Sequence, residues 1–197
     1  YGSTTEAVEE KHRDVKMTGG QWRTALGLAV VAASIVLSNV MITVRIPSVV
    51  EQVGHGTAQT AGMILAAMQF VGILAGLAFS PLTQLFRDRL LVVSGVAYGL
   101  TQLLIGVSTN LWMLAIVTIL AGFAYSVALT TVYNVLSDQM PAGVLSQATS
   151  IAVLGCSAGS IATTFVLSLL GTVSSTPAFI FGFSGILMIL VSFFGLW

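Results

Sequence analysis

From Thr24 to Trp197 the chain runs as long apolar stretches broken by only six charged residues: Arg45, Glu51, Arg87, Asp88, Arg89 and Asp138. A helix that crosses ~30 Å of hydrocarbon needs about 20 mainly apolar residues, and the charges divide the chain into pieces on that scale. The 35 residues between Glu51 and Arg87 hold one such helix, the 48 between Arg89 and Asp138 hold two, and the 59 after Asp138 hold two. The pattern predicts six spans. The first runs from about Trp22 to Val44 and is closed by Arg45 and Pro47; the second runs from Thr60 to Leu82. The third runs from Leu90 to Val107 and ends at the turn Ser108-Thr109-Asn110. The fourth, Leu111 to about Leu136, is long enough to tilt or project, and Asp138 with Pro141 ends it. The fifth runs from Val144 to Val173 and the sixth from Ala178 to Trp197.

Composition turns this pattern into a fold class. The chain is 56% hydrophobic and 7% charged, with a mean hydropathy of +0.98, whereas a soluble domain is about 25% charged. In water such a chain exposes a large apolar surface. The expected fold is therefore all-α, a polytopic membrane protein of six transmembrane helices whose first partner is the lipid bilayer. Eight of the 14 charges precede Thr24, so residues 1–21 read as a polar cytoplasmic linker and 22–197 as the six-helix transmembrane domain. Net charge is zero, which gives no pointer to nucleic acid. The single Cys156 allows no intrachain disulfide and no cysteine metal cluster. His12 and His55 fall on opposite sides of the first span, so they cannot share a metal. The polar N-terminus and the long first apolar run do not make a signal peptide. The chain lacks an initiator Met, as an excised part of a longer polypeptide would.

Charge also sets orientation. Lys11, Arg13, Lys16 and Arg23 precede the first span, and Arg87 and Arg89 lie between the second and third. All six fall on one side, against Arg45 alone on the other. The positive-inside rule then places both termini in the cytoplasm of a plasma (inner) membrane.

Polar side chains inside the spans are the candidates for chemistry. Gln69 lies near the middle of the second span, and such a residue in hydrocarbon faces the bundle interior, either to tie helices together or to meet a ligand. Asn39 and Thr43 share a face in the outer half of the first span. Arg45 follows on a different face; it either clamps an anionic group bidentately or snorkels to the outer headgroups near Glu51. Tyr125, Thr130, Tyr133 and Asn134 descend the fourth span, and a tyrosine suits both a cavity and an interfacial belt. Ser157, Ser160, Thr163 and Thr164 on the fifth either line a polar seam or bond back to the preceding turn. Gln102 is a polar residue near the end of the third. Gly72 with Gly76, Gly95 with Gly99 and Gly155 with Gly159 are small-xxx-small pairs that allow close helix contact.

The order of these features resembles a six-helix half of the major facilitator superfamily. The segment Ser80-Pro-Leu-Thr-Gln-Leu-Phe-Arg-Asp-Arg89 stands where that family has a short basic cytoplasmic loop. The long fourth span running into Asp138 and Pro141 stands where the family's fourth helix meets an acidic-then-proline segment. The resemblance covers about residues 20–197 and is stronger in layout than in motif. Against the family's loop signature Gly-x-Leu-x-Asp-Arg-x-Gly-Arg-Arg, only Leu82 and Arg89 match; Gln84 replaces the Asp, Leu85 the Arg, Arg87 the Gly and Asp88 the first of the paired basic residues. That decay is typical of the C-terminal half, with the charged leader as the end of the central linker.

The resemblance implies one half of a secondary transporter that moves a small solute by alternating access, paired with a second six-helix half in the same polypeptide or in another copy. Spans one, two, four and five would face the cavity, and Asn39, Thr43, Arg45, Gln69 and Tyr125 would contact substrate. Arg87, Asp88 and Arg89 would form a gating loop, or would only hold orientation. The alternative is a self-contained six-helix protein that dimerises as a carrier or a scaffold. No span contains an acid or a histidine for a proton relay. There is no Gly-x-x-x-x-Gly-Lys sequence for ATP, and no nucleophile–base pair or cofactor motif. The expectation is therefore a protein that is not an enzyme and uses no cofactor.

Overall fold

A computed structural model of the chain describes residues 17–54, 56–86, 89–174 and 176–194. Six helices fill it: α1 Gly19–Gly54, α2 Ala58–Phe86, α3 Leu90–Gly106, α4 Leu111–Gln139, α5 Ala142–Val173 and α6 Pro177–Phe194. The all-α, six-span expectation holds, and the helix starts are legible locally. Thr18 and Gln21 make a capping box, with the Thr18 N–H donating to Gln21 Oε1 at 2.8 Å and the Gln21 N–H to Thr18 Oγ1 at 3.5 Å. The Asn110 side chain caps α4 by accepting from the Met113 N–H at 2.8 Å. Pro141 opens α5 where no backbone donor is needed.

One boundary is corrected. α1 does not close at Arg45 and Pro47: it is 36 residues long, carries Pro47 inside it and ends at Gly54. A proline forfeits one backbone hydrogen bond, and membrane helices tolerate that loss when neighbours hold the turn in place. Pro81 likewise lies inside α2. Four helices, α1, α2, α4 and α5, are long and apolar enough by themselves to cross a membrane. α3 and α6, with 17 and 18 residues, lie at the short end of what spans a bilayer, about 17–25 residues.

Packing builds a ring and two flanks. α1, α4, α3 and α6 contact one another in that cyclic order; α2 docks chiefly on α4, and α5 chiefly on α1. The principal contacts are preserved when α1 exchanges with α4, α2 with α5 and α3 with α6, and only the slight α2–α3 contact lacks a counterpart of its size, so the two three-helix stretches pack alike.

Small residues set the registers. A Cβ at Gly155 would lie 2.5 Å from the Ala29 carbonyl oxygen, and one at Gly159 would meet the Ala33 carbonyl. One turn further on, the Thr163 hydroxyl donates to the Leu37 carbonyl at 3.3 Å. α1 and α5 therefore run parallel in step. α2 and α4 do the same, with Gly72 against Ser126 and Gly122 against the Met68 backbone. α3 and α6 are antiparallel, with Gly99 on Gly185 and Gly106 on Ala178. In lipid, such close backbone approach supplies the dispersion contacts that hydrophobic burial supplies in water. The main apolar core lies in the ring and at its seams, with Ile35, Ile42, Tyr98, Leu114, Ala121, Phe181 and Met188 among its buried members.

Candidate functional site

The central turns of the helices can be placed at a common depth from these registers. The Ser184 hydroxyl on α6 donates to Ser38 on α1 at 3.0 Å. Gly185 faces Gly99 on α3. The neighbouring Tyr98 ring packs against Tyr125 on α4, with centroids 6.0 Å apart and planes tilted by 53°. Asn39 follows Ser38 directly. Gln69 follows Met68, which meets Gly122, three residues before Tyr125. Asn39, Gln69 and Tyr125 thus lie within about one helical turn of each other in depth, ~5 Å.

Their surroundings differ. Gln69 is exposed on the free side of α2. Tyr125 is half-buried, backed by the fully buried Tyr98. Asn39 is half-buried, and its Oδ1 is enclosed without a hydrogen-bond partner. Among the described residues no hydrogen bond joins these three. Thr43 lies one turn further along α1; its hydroxyl donates to the Asn39 carbonyl at 3.0 Å, within its own helix. Arg45 is half-buried inside α1. Arg89 is exposed at the start of α3, while Arg87 and Asp88 of the expected gating loop lie outside the described residues. Thr130 is exposed, and Tyr133 and Asn134 are half-buried. On α5, Ser160 and Thr163 donate to the carbonyls of Cys156 and Gly159, the back-bonding alternative for these residues.

Several features escaped the sequence reading. The Tyr133 hydroxyl approaches Cys156 Sγ at 3.6 Å, joining α4 to α5. The exposed arc of α2 divides into two lines. Gly62, Gln69 and Gly76, seven residues apart, lie with Ser80 toward one side, the exposed Ile73 borders them, and Met63, Phe70, Leu74 and Leu77 lie toward the other. α5 is arranged in a similar way: Ser157, Ser160, Thr164 and Ser168 lie toward one side, with the exposed Val153 among them, and Leu154, Ile161, Phe165 and Leu169 toward the other. The seven-residue spacing was visible in the sequence; which side of each helix would be left uncovered was not.

A match to the family described as Major Facilitator Superfamily extends over residues 26–197. The chain belongs to the major facilitator superfamily. No curated protein matches it. Membership makes it an integral membrane protein with a transporter's architecture, and its six helices are the complement of one half of such a carrier. The family's members are typically transporters rather than enzymes, and among the described residues no group of His, Cys, Asp and Glu could hold a metal ion.

Proposed function

We propose that the chain is one half, the C-terminal one, of a secondary carrier that moves a small solute by alternating access. Its second half would be supplied by the same polypeptide or by another copy, in a plasma (inner) membrane with both termini cytoplasmic. Residues 1–21 are the cytoplasmic linker and 22–197 the transmembrane half. The observation that carries this reading is the exposure of Gln69 in the central part of α2, in line with Gly62, Gly76 and Ser80. An amide left facing hydrocarbon loses its hydrogen bonds. A polar edge flanked by glycine fits an aqueous cavity instead, and the matching edge of α5 supports the same assignment. The apolar edges of both helices are then left for lipid and for the second half. Asn39, Gln69 and Tyr125 line the centre of the path, with Thr43 and Arg45 toward its outer end and Arg87, Asp88 and Arg89 at the cytoplasmic loop. The lining is neutral and polar apart from Arg45, so the solute is held by hydrogen bonds and aromatic contact.

Thiol accessibility tests the reading. Single cysteines replace Gln69, Ser160, Phe70 and Phe165 in a Cys156→Ser background, in proteoliposomes treated with a hydrophilic methanethiosulfonate. The reagent reacts with the thiolate, which a cysteine side chain forms readily only in contact with water. Fast modification is expected at positions 69 and 160, and slow modification at 70 and 165. Uniformly slow reaction would place Gln69 against lipid or protein and remove the cavity.

A further inference from the structure

The centre of the four-helix ring is polar, and it lies behind the lining assigned above, with Tyr98 backing Tyr125. Tyr98, Gln102 and Thr118 are each 0% exposed. The Tyr98 hydroxyl, both amide atoms of Gln102 and the Thr118 hydroxyl lack a hydrogen-bond partner among the described residues. Buried polar groups in folded proteins are nearly always satisfied by protein or by ordered water, so four orphaned atoms at one interface need an explanation.

Their placement brings them together. Tyr98 and Gln102 are one turn apart on α3 and share a face. Thr118 and Tyr125 are two turns apart on α4 and share a face, and the Tyr98–Tyr125 contact turns these faces toward each other. α3 and α4 are consecutive helices joined by the short turn 107–110. Counting back from that turn, Thr118 lies deeper than Gln102. A helical side chain leans toward its helix N-terminus, which carries the Gln102 amide inward to the level of Thr118. The same lean takes it toward Gly99, opposite Gly185, beside the fully buried Ser184–Ser38 pair. Ser38 accepts from Ser184 and keeps its own proton to give.

We propose that the ring formed by α1, α4, α3 and α6 encloses an internal water site, held by Gln102, Tyr98 and Thr118 with the Ser38–Ser184 pair at its edge. The chemistry selects water over an alkali cation. A cation would satisfy Gln102 Oε1 and the hydroxyl oxygens but would leave Gln102 Nε2 without an acceptor. The acidic side chains of the described ring helices, Glu51 near the end of α1 and Asp138 in the last turn of α4, are both exposed, so neither is enclosed with the site to balance a buried charge. A water molecule both donates and accepts, and typically makes about three hydrogen bonds to groups such as these. The proposal does not depend on the carrier assignment.

Radiolytic hydroxyl labelling of the purified wild-type protein reads the site directly. An enclosed water that exchanges slowly generates a radical beside Tyr98. The ring is expected to be oxidised despite its complete burial, and to retain ¹⁶O after rapid mixing into H₂¹⁸O, whereas exposed Trp112 takes up ¹⁸O. Unlabelled Tyr98 beside labelled Trp112 would overturn the site. A second test uses Gln102→Leu, Thr118→Val and the double variant. A shared water makes their shifts in melting temperature non-additive; additive shifts would sink the proposal. Stabilisation by sodium chloride over choline chloride that disappears in Gln102→Leu would identify a cation and also overturn it.

Discussion

Gln69 and Gln102 are the same side chain in opposite surroundings, one exposed on α2 and the other sealed inside the ring. The difference predicts opposite phenotypes for the same substitution. Gln69→Leu keeps size and removes every hydrogen bond. For a solute identified by its stabilisation of the purified protein, binding should weaken by roughly 1–3 kcal/mol while the melting temperature holds. Calorimetric affinity and a thermal melt on one preparation check it; unchanged affinity with a lowered melting temperature would make Gln69 a helix tie. Gln102→Leu should move the melting temperature and leave affinity in place. Both amides are conspicuous in the sequence, since polar residues are rare in spans. What the sequence does not carry is the face on which each lands. That depends on the Gly72–Ser126 and Gly99–Gly185 registers, which are tertiary facts. Tyr133 and Cys156 are hidden for the same reason: 23 residues separate them, and only the meeting of α4 and α5 brings them within 3.6 Å.

At the scale of elements, three glycine pairs with identical spacing have different fates. Gly155 and Gly159 both meet the backbone of α1, and Gly95 and Gly99 both meet α6. Of the remaining pair, Gly72 closes on Ser126, while a Cβ at Gly76 would meet nothing within 4 Å. Gly159→Leu must push α5 off the Ala33 carbonyl and is expected to cost about 1–3 kcal/mol as overpacking. Gly76→Ala should leave stability nearly unchanged. Thermal unfolding of the two variants beside wild type tests the contrast, and equal losses would contradict the register of α1 on α5. The spans themselves were legible because hydrocarbon imposes a length and charge interrupts it. Their ends were less so. α3 begins at the expected Leu90 and α5 ends at the expected Val173, but α1 continues through Pro47 to Gly54. Proline stops a helix in water more reliably than in a packed membrane bundle, where the freed carbonyl finds other partners.

For the whole molecule, α2 and α5 hang on a self-contained ring with most of their surface uncovered. Met63, Phe70 and Ile73 on α2, and Leu154, Ile161 and Phe165 on α5, are each more than three-fifths exposed. Alone, that surface suits lipid, but the polar edges beside it do not. The isolated six-helix chain in detergent is therefore expected to self-associate through α2 and α5, and cysteine pairs placed at Gln69 and Ser160 in a Cys156→Ser background should cross-link between copies. A monodisperse, thermally robust monomer would count against a missing half. Orientation is checked separately. Asn110 opens α4 and Asp138 lies in its last turn, at opposite ends of one span. In sealed right-side-out cells, a single cysteine at Asn110 should react with an impermeant maleimide, and one at Asp138 should react only after permeabilisation. The reverse pattern would invert the molecule and with it the reading of Arg45 as the outer arginine. Six of the seven basic residues would then stand outside, against the charge bias that orients membrane chains during insertion. If both cysteines reacted from outside, α4 would not cross the membrane. The exchange of α1 with α4 that underlies the repeated packing would then lose its physical basis.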